Sequence, residues 1–249
     1  SIEKLVVKLA KKRKTNSSKT SLSSNTMVRN INTKLKTAKG RKTSSSRWLQ
    51  RQLNDPYVQA SKRDGYRSRA AYKLLQMNEK FDFIKPHSRV LDLGAAPGGW
   101  SQVVASITGA NTSDIDSQII ALDILPIEPI PGVKILSYDF MKEGAEDLIR
   151  NEVKDPLDVI LSDISPPLSG HSNTDHLRII AIAEAAYSLS IQLLGPNGVF
   201  VTKVFQGGTE KKLLNDIKEH FSIVKHVKPA ASRKESSELY LVAMGYNKI

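Results

Sequence analysis

The 249-residue sequence contains no cysteine. Disulfides, Cys-ligated zinc and thiol nucleophiles are thereby excluded, and the chain is compatible with a reducing compartment. No apolar run approaches the roughly 18 residues that a membrane span needs. The histidines, His87, His171, His176, His220 and His226, form no H-E-x-x-H or similar set, and no metal is assigned. His171 and His176 read as a polar loop and a helix start. Acids are almost missing from the first 50 residues, where Glu3 stands alone against 14 Lys/Arg. The other 199 residues carry 23 Lys/Arg and 24 Asp/Glu, so the net charge of +12 resides in the N-terminal fifth.

Its first 46 residues also lack aromatics. Residues 1–46 are rich in Lys, Ser, Thr and Asn, and such a segment buries too little apolar surface to offset its ordering entropy. A disordered basic tail is expected there. An electrostatic arm that gathers RNA is the favoured use. A solvated tail and a transit peptide are the alternatives. Residues 47–249 are expected to form one α/β domain.

Within that domain, strand patterns at 89–93, 118–122, 134–136, 158–161, 198–203, 223–227 and 238–244 alternate with helical patterns. The latter fall at 67–80, 100–107, 144–153, 177–194 and 210–220. Alternation of this kind implies a mostly parallel sheet with helices on both faces. The last two strand patterns have no helix between them and are expected to pair antiparallel at one edge. Residues 46–53 read as a short helix, and Asp55-Pro56 as a turn.

The richest local signal is Val90-Leu-Asp-Leu-Gly-Ala-Ala-Pro-Gly-Gly-Trp100, a strand, a Gly-rich turn and a helix start. Helix N-termini present unpaired N–H groups and the positive end of the helix dipole to a ligand. The loop has neither the G-x-G-x-x-G spacing nor the Gly-Lys-Ser/Thr of a phosphate loop, which argues against a triphosphate. Glycines at a strand-to-helix turn also occur for packing alone, but this loop is longer than packing requires.

Ligands of open α/β sheets bind outside the carboxyl ends of the strands. Asp92, Asp123, Asp139 and Asp163 all fall at such ends. One could be a helix cap, but four in register fit a nucleoside with many donors and few phosphates, such as S-adenosylmethionine. Asp123 suits ribose hydroxyls and Asp139 an exocyclic amine. Lys203, inside an apolar strand, is costly unless paired, so it is expected beside Asp163.

Five segments together resemble the FtsJ/RrmJ (RlmE) family of RNA ribose 2′-O-methyltransferases. They are Arg67-Ser-Arg-Ala-Ala-Tyr-Lys-Leu, Asp92-Leu-Gly-Ala-Ala-Pro-Gly-Gly-Trp-Ser-Gln, Ser162-Asp163, Lys203-Val-Phe-Gln-Gly and Ser232-Arg-Lys-Glu-Ser-Ser-Glu-Leu-Tyr. The resemblance runs from about residue 48 to the C-terminus and implies a Rossmann-like, S-adenosylmethionine-dependent fold with a seven-stranded sheet. It implies a catalytic tetrad of Lys73, Asp163, Lys203 and Glu238. Gly98, Trp100, Asp123, Asp139 and Asp163 are the implied cofactor contacts. The loop after Asp163, Ile-Ser-Pro-Pro-Leu-Ser-Gly, departs from the family at Pro167.

Arg51-Gln-Leu-Asn-Asp-Pro-Tyr-Val most resembles the bacterial and mitochondrial branch, which methylates a uridine in the peptidyl-transferase A-loop of large-subunit rRNA. The implied partner is that rRNA, within the large subunit or a late precursor. The implied compartment is a bacterial cytoplasm, or alternatively a mitochondrial matrix. A monomer without membrane association is expected. A tRNA 2′-O-methyltransferase and an RNA-binding assembly factor of the same fold are the competing readings.

In this scheme Lys203 acts as base in its neutral form, its pKa lowered by burial and by Lys73 against the pull of Asp163. Lys73 holds the 2′-oxygen or is itself the proton acceptor, since the sequence leaves open which lysine takes the proton, and Glu238 orients one of the lysines. Lys62, Arg63, Arg67, Arg69, Arg233 and Lys234 are candidate phosphate contacts. Tyr240 is expected either to stack on the target nucleotide or to be a core residue with its hydroxyl at the rim.

Overall fold

The computed structural model describes residues 50, 52–111, 118–166, 169–206 and 211–247. The basic segment, Pro167 and most of the short helix expected at 46–53 lie outside these residues. A seven-stranded sheet forms the middle layer, in the order β3-β2-β1-β4-β5-β7-β6. Its strands are β1 (Val90–Leu93), β2 (Ile119–Asp123), β3 (Val133–Ser137), β4 (Leu157–Ser162), β5 (Leu194–Phe205), β6 (Phe221–Val227) and β7 (Glu238–Tyr246). The helices are α1 (Pro56–Asp64), α2 (Ala71–Phe81), α3 (Gly99–Thr108), α4 (Ala145–Glu152), α5 (Ser172–Leu193) and α6 (Lys211–His220).

Strands β1 to β5 pair in parallel. The expected antiparallel pairing of β6 with β7 is present, but β7 also slots between β5 and β6 and pairs antiparallel with both. This insertion is what carries Glu238 and Tyr240 next to Lys203, since Lys203 lies opposite Tyr240 and Phe205 opposite Glu238.

Strand residues alternate between the two faces, and the core divides accordingly. Leu91, Leu93, Ile120, Ile160 and Phe200 face Ile149 of α4, Ala183 and Ala186 of α5, and Leu213 and Ile217 of α6. Val90, Val159, Leu161, Val199, Val201, Tyr240 and Val242 face Ala71, Leu74 and Met77 of α2 and Trp100, Val103 and Val104 of α3. Continuing the same alternation past the apolar positions reaches Asp163 after Leu161, Lys203 after Val201, and Glu238 two residues before Tyr240. All three therefore fall on the face covered by α2.

Several boundaries differ from the sequence expectation. Asp55-Pro56 is a helix start: Asp55 Oδ1 accepts from the Tyr57 N–H at 3.0 Å, and Pro56 occupies the first turn, where a missing N–H costs little. Helix α2 begins at Ala71 rather than 67, because the Arg67 N–H donates to Gln102 Oε1 and its guanidinium reaches a neighbouring loop. Helix α5 begins at Ser172, before the apolar periodicity, with His171 as its N-cap residue. Asp175 in its first turn accepts from Ser169 N and Oγ, both at 2.7 Å. Strand β5 reaches back to Leu194 through an irregularity facing residues 157–159.

Candidate active site

Lys73, Asp163, Lys203 and Glu238 converge at the carboxyl end of β4. Lys203 Nζ lies 2.7 Å from Asp163 Oδ1 and donates to the Asp163 carbonyl at 3.0 Å. Lys73 Nζ lies 2.7 Å from Glu238 Oε1, and Lys203 Nζ 3.6 Å from Glu238 Oε2. Tyr240 joins the pairs: its hydroxyl donates to Asp163 Oδ1 at 2.6 Å and accepts from Lys73 Nζ at 3.1 Å. Two lysines and two carboxylates make a charge-balanced cluster, which is how such groups tolerate burial.

Burial works against the charges of Asp163 and Lys203, yet their partners prevail. Desolvation alone would raise the Asp163 carboxyl, but Lys203 first and then Lys73 hold it below its ordinary value. Desolvation alone would lower Lys203, but Asp163 and then Glu238 hold it above its ordinary value. The expected lowering of the Lys203 pKa is thereby corrected: with two carboxylates facing it, Lys203 is a firmly protonated cation at rest. Tyr240 is pushed well above its ordinary value by burial and by Asp163.

Tyr240 is fully buried and contacts the Trp100 ring, with centroids 5.7 Å apart. It cannot stack on an incoming base; it is the core tyrosine with its hydroxyl in the site. Ser232 is a member that sequence reading missed. Its Oγ donates to Glu238 Oε1 at 2.9 Å. It stood at the head of a motif, but only the folded turn shows what it touches.

The Gly-rich loop between β1 and α3 adjoins this cluster. Gly94 has φ +73, and a Cβ there would meet Ile164 Cγ1 at 2.5 Å. Gly98 has φ +107, and a Cβ would meet Ile130 Cδ1 at 2.8 Å and Arg67 Nη1 at 2.9 Å. Packing and backbone conformation thus require both glycines. The Trp100 indole is turned into the core and donates to the Ala70 carbonyl at 2.8 Å. What Trp100 presents to the loop's ligand side is its main-chain N–H in the first turn of α3, where N–H groups have no intrahelical partner.

Asp123 Oδ2 accepts from the Ala96 N–H at 2.8 Å, and its Oδ1 from the Leu125 N–H at 2.9 Å. Asp139 Oδ1 accepts from the Met141 N–H at 3.0 Å. Each carboxylate keeps lone pairs for a ligand. The exposed apolar side chains Ile124, Leu125 and Met141 flank them. Carboxylates for hydroxyls and an amine, apolar surface for a ring, and a helix N-terminus form a donor set that fits a nucleoside.

Asp92 differs from Asp123 and Asp139. It is fully buried; its Oδ2 accepts from Ser101 Oγ at 2.6 Å, and its Oδ1 has no partner among the described residues. Burial, with Asp163 and Asp123 adding to it, pushes its pKa up to about 7. Asp92 braces the first turn of α3 from beneath and is no ligand-facing acid.

The basic candidates also separate. The Arg67 guanidinium donates to three carbonyls, of Pro97 at 3.2 Å, Glu128 at 2.6 Å and Pro129 at 2.9 Å. It ties the Gly-rich loop to the β2–β3 connection. Arg63 is exposed and pairs with Asp64. Arg69 lies 3.1 Å from Asp55 Oδ2 and donates to the Ala231 carbonyl. Lys62 and Lys234 are exposed.

Comparison with known proteins follows these motifs. The family model described as FtsJ-like methyltransferase matches residues 66–246. A Paramagnetospirillum magneticum protein named Ribosomal RNA large subunit methyltransferase E is 51% identical over 218 residues, covering 88% of this chain and 89% of that protein. A Rickettsia bellii protein of the same name is 49% identical, covering 87% and 95%. A crystal structure of a Plasmodium falciparum protein described as a ribosomal RNA methyltransferase aligns with a TM-score of 0.64 at 30% identity, covering 73% of this chain and 98% of that one. The matched span contains the Gly-rich loop and all four residues of the charged cluster: this chain belongs to the FtsJ-like methyltransferase family.

Proposed function

We propose that the chain methylates a ribose 2′-hydroxyl of a uridine in the peptidyl-transferase A-loop of large-subunit rRNA, using S-adenosylmethionine. The observation that carries this activity is the Lys73–Glu238 and Lys203–Asp163 pairing at the carboxyl ends of the strands, bridged by the Tyr240 hydroxyl. Small-molecule methylation has no need of two buried lysines beside one acceptor position. The names of the relatives support large-subunit rRNA as the substrate, free or within a subunit or late precursor. Their bacterial sources favour a bacterial cytoplasm over a mitochondrial matrix, and the enzyme is proposed to act as a monomer. Among the described residues no helix is long and apolar enough to cross a membrane.

Asp123 would hold the cofactor's ribose, Asp139 its base, and Gly98 and Trp100 main-chain groups and Asp163 its amino-acid end. The bound cofactor supplies a methyl group activated by its sulfonium charge. The protein's task is then alignment and proton removal. Lys203 accepts the 2′-hydroxyl proton in its neutral form, so it must first lose the proton that Asp163 and Glu238 hold on it. Lys73, paired with Glu238 at 2.7 Å, stabilises the negative charge developing on the 2′-oxygen.

The test is methyl transfer from radiolabelled S-adenosylmethionine to large ribosomal subunits lacking the modification, with free rRNA and tRNA alongside. Label in large-subunit rRNA, with the modified linkage resistant to alkali, is the expected result. Label in tRNA alone would move the substrate. Cofactor binding with no label in any RNA would overturn the activity in favour of an assembly factor.

A further inference from the structure

Helix α2 carries Lys73 and Gln76 three residues apart, and so on one face. Lys73 Nζ lies 2.7 Å from Glu238 Oε1. Gln76 Oε1 accepts from the Ala231 N–H at 2.8 Å, and Gln76 Nε2 donates to the Tyr57 hydroxyl at 3.2 Å. The Arg69 guanidinium donates to the Ala231 carbonyl. Both main-chain groups of the fully buried Ala231 are thus taken up by side chains. The Ser232 N–H donates to the Pro229 carbonyl at 2.8 Å, which closes the turn. The place of Ser232 is thereby set from the helix face that carries Lys73.

Ser232 is buried, and its Oγ donates to Glu238 Oε1 at 2.9 Å. A serine hydroxyl has one hydrogen to donate, and this one goes to the carboxylate oxygen that also faces Lys73. The other oxygen, Oε2, stands 3.6 Å from Lys203 Nζ, beyond a hydrogen bond. Lys203 Nζ instead reaches Asp163 Oδ1 at 2.7 Å. Both ammonium groups are within reach of Glu238, yet its carboxylate is turned toward one of them. A half-buried carboxylate between two cations gains by closing on both, so something must hold it to the first. The Ser232 hydroxyl is placed to do so.

Resting on the RNA-directed methyl transfer proposed above, we propose that Ser232 is a positioning residue of that reaction: its hydroxyl pins Glu238 to Lys73 and keeps Oε2 from closing on Lys203. Two roles are thereby kept apart. Lys73 retains a close carboxylate while it stabilises the developing oxyanion. Lys203 has one carboxylate, that of Asp163, in direct contact. A second close carboxylate would hold the proton on Lys203 more tightly and make the neutral base scarcer. Ser232 acts through Glu238 and not on the reacting atoms.

The experiment measures methyl transfer to large ribosomal subunits lacking the modification, by the full chain and by Ser232→Ala and Ser232→Thr. Ser232→Ala is expected to lower kcat about tenfold, equivalent to roughly 1.4 kcal/mol. KM for the subunit and S-adenosylmethionine affinity should stay close to the parent's, as for a group whose effect is confined to the transfer step. Ser232→Thr keeps the hydroxyl and should restore most of the rate. A double-mutant cycle with Glu238→Ala, read by single-turnover transfer, separates positioning from general support of the turn. Once the carboxylate is gone, Ser232→Ala should cost less than about a further twofold. If Glu238→Ala transfers no measurable label, the Ser232→Thr comparison decides. Parental kcat in Ser232→Ala, an undiminished loss on top of Glu238→Ala, or Ser232→Thr no faster than Ser232→Ala would each overturn the positioning role and leave the methyl transfer standing. A parent chain that binds the cofactor and labels no RNA would overturn the RNA-directed activity and this role with it.

Discussion

Tyr240 donates its hydroxyl hydrogen to Asp163 Oδ1 at 2.6 Å from a ring that has no solvent exposure. The bond crosses from β7 to the end of β4, two strands away in the sheet. Because the ring is clamped in the core, the hydroxyl is a fixed point between the two lysine–carboxylate pairs. Tyr240→Phe keeps the packing and removes that point. We expect a loss of about 1–2 kcal/mol in stability and a fall in turnover of up to about 100-fold from misaligned groups. Thermal melts and single-turnover methyl transfer check both; full turnover in the variant would show that the hydroxyl serves packing alone.

Lys203 sets the pH dependence. Its pKa is raised because Asp163 and Glu238 outweigh burial, so the neutral base is scarce at neutral pH and grows more common as pH rises. Turnover is expected to increase with pH, with near-unit slope in log rate, and to show no plateau at neutrality. A plateau beginning below pH 7 would remove Lys203 as the base. Lys203→Ala is expected to lower turnover by at least about 100-fold while leaving S-adenosylmethionine affinity nearly intact.

Asp92 should be visible in stability rather than in chemistry. Its folded pKa stands at about 7 against an ordinary 3.8, so the folded state holds a proton that the unfolded state has lost between those values. Stability therefore falls as pH rises through this window and levels off above it. The displacement corresponds to roughly 4 kcal/mol at its limit. Asp92→Asn keeps an acceptor for Ser101 and removes the titration. The variant should match the parent near pH 4 and exceed it near pH 8 in chemical denaturation; equal stability at both would show that Asp92 does not carry the effect.

Arg67 is expected to act through the Gly-rich loop. Its three carbonyl partners hold the Gly-rich loop against the β2–β3 connection. Arg67→Ala should weaken S-adenosylmethionine binding about tenfold, equivalent to roughly 1.4 kcal/mol, and leave the salt dependence of RNA binding unchanged. Calorimetry checks the first and salt titration the second. A reduced salt slope would return Arg67 to the phosphate contacts.

The layered α/β fold was legible in the sequence because helix and strand periods differ and each repeats along the chain. The same period of two put Asp163, Lys203 and Glu238 on one sheet face, since residues separated by two share a side. The Gly-rich loop was legible because few residues other than glycine tolerate positive φ. The tertiary structure alone decided the rest. Nothing in the local pattern of β7 says that it enters between β5 and β6, yet this insertion sets Tyr240 opposite Lys203. Nor could spacing distinguish Asp92 from Asp123, since both end apolar runs; burial beneath α3 makes one a brace and leaves the other at the open edge. The protonation of Lys203 likewise depends on two carboxylates from strands distant in sequence. Charge and periodicity are properties of the chain, whereas pKa, exposure and hydrogen-bond partners are properties of the neighbours that folding brings together.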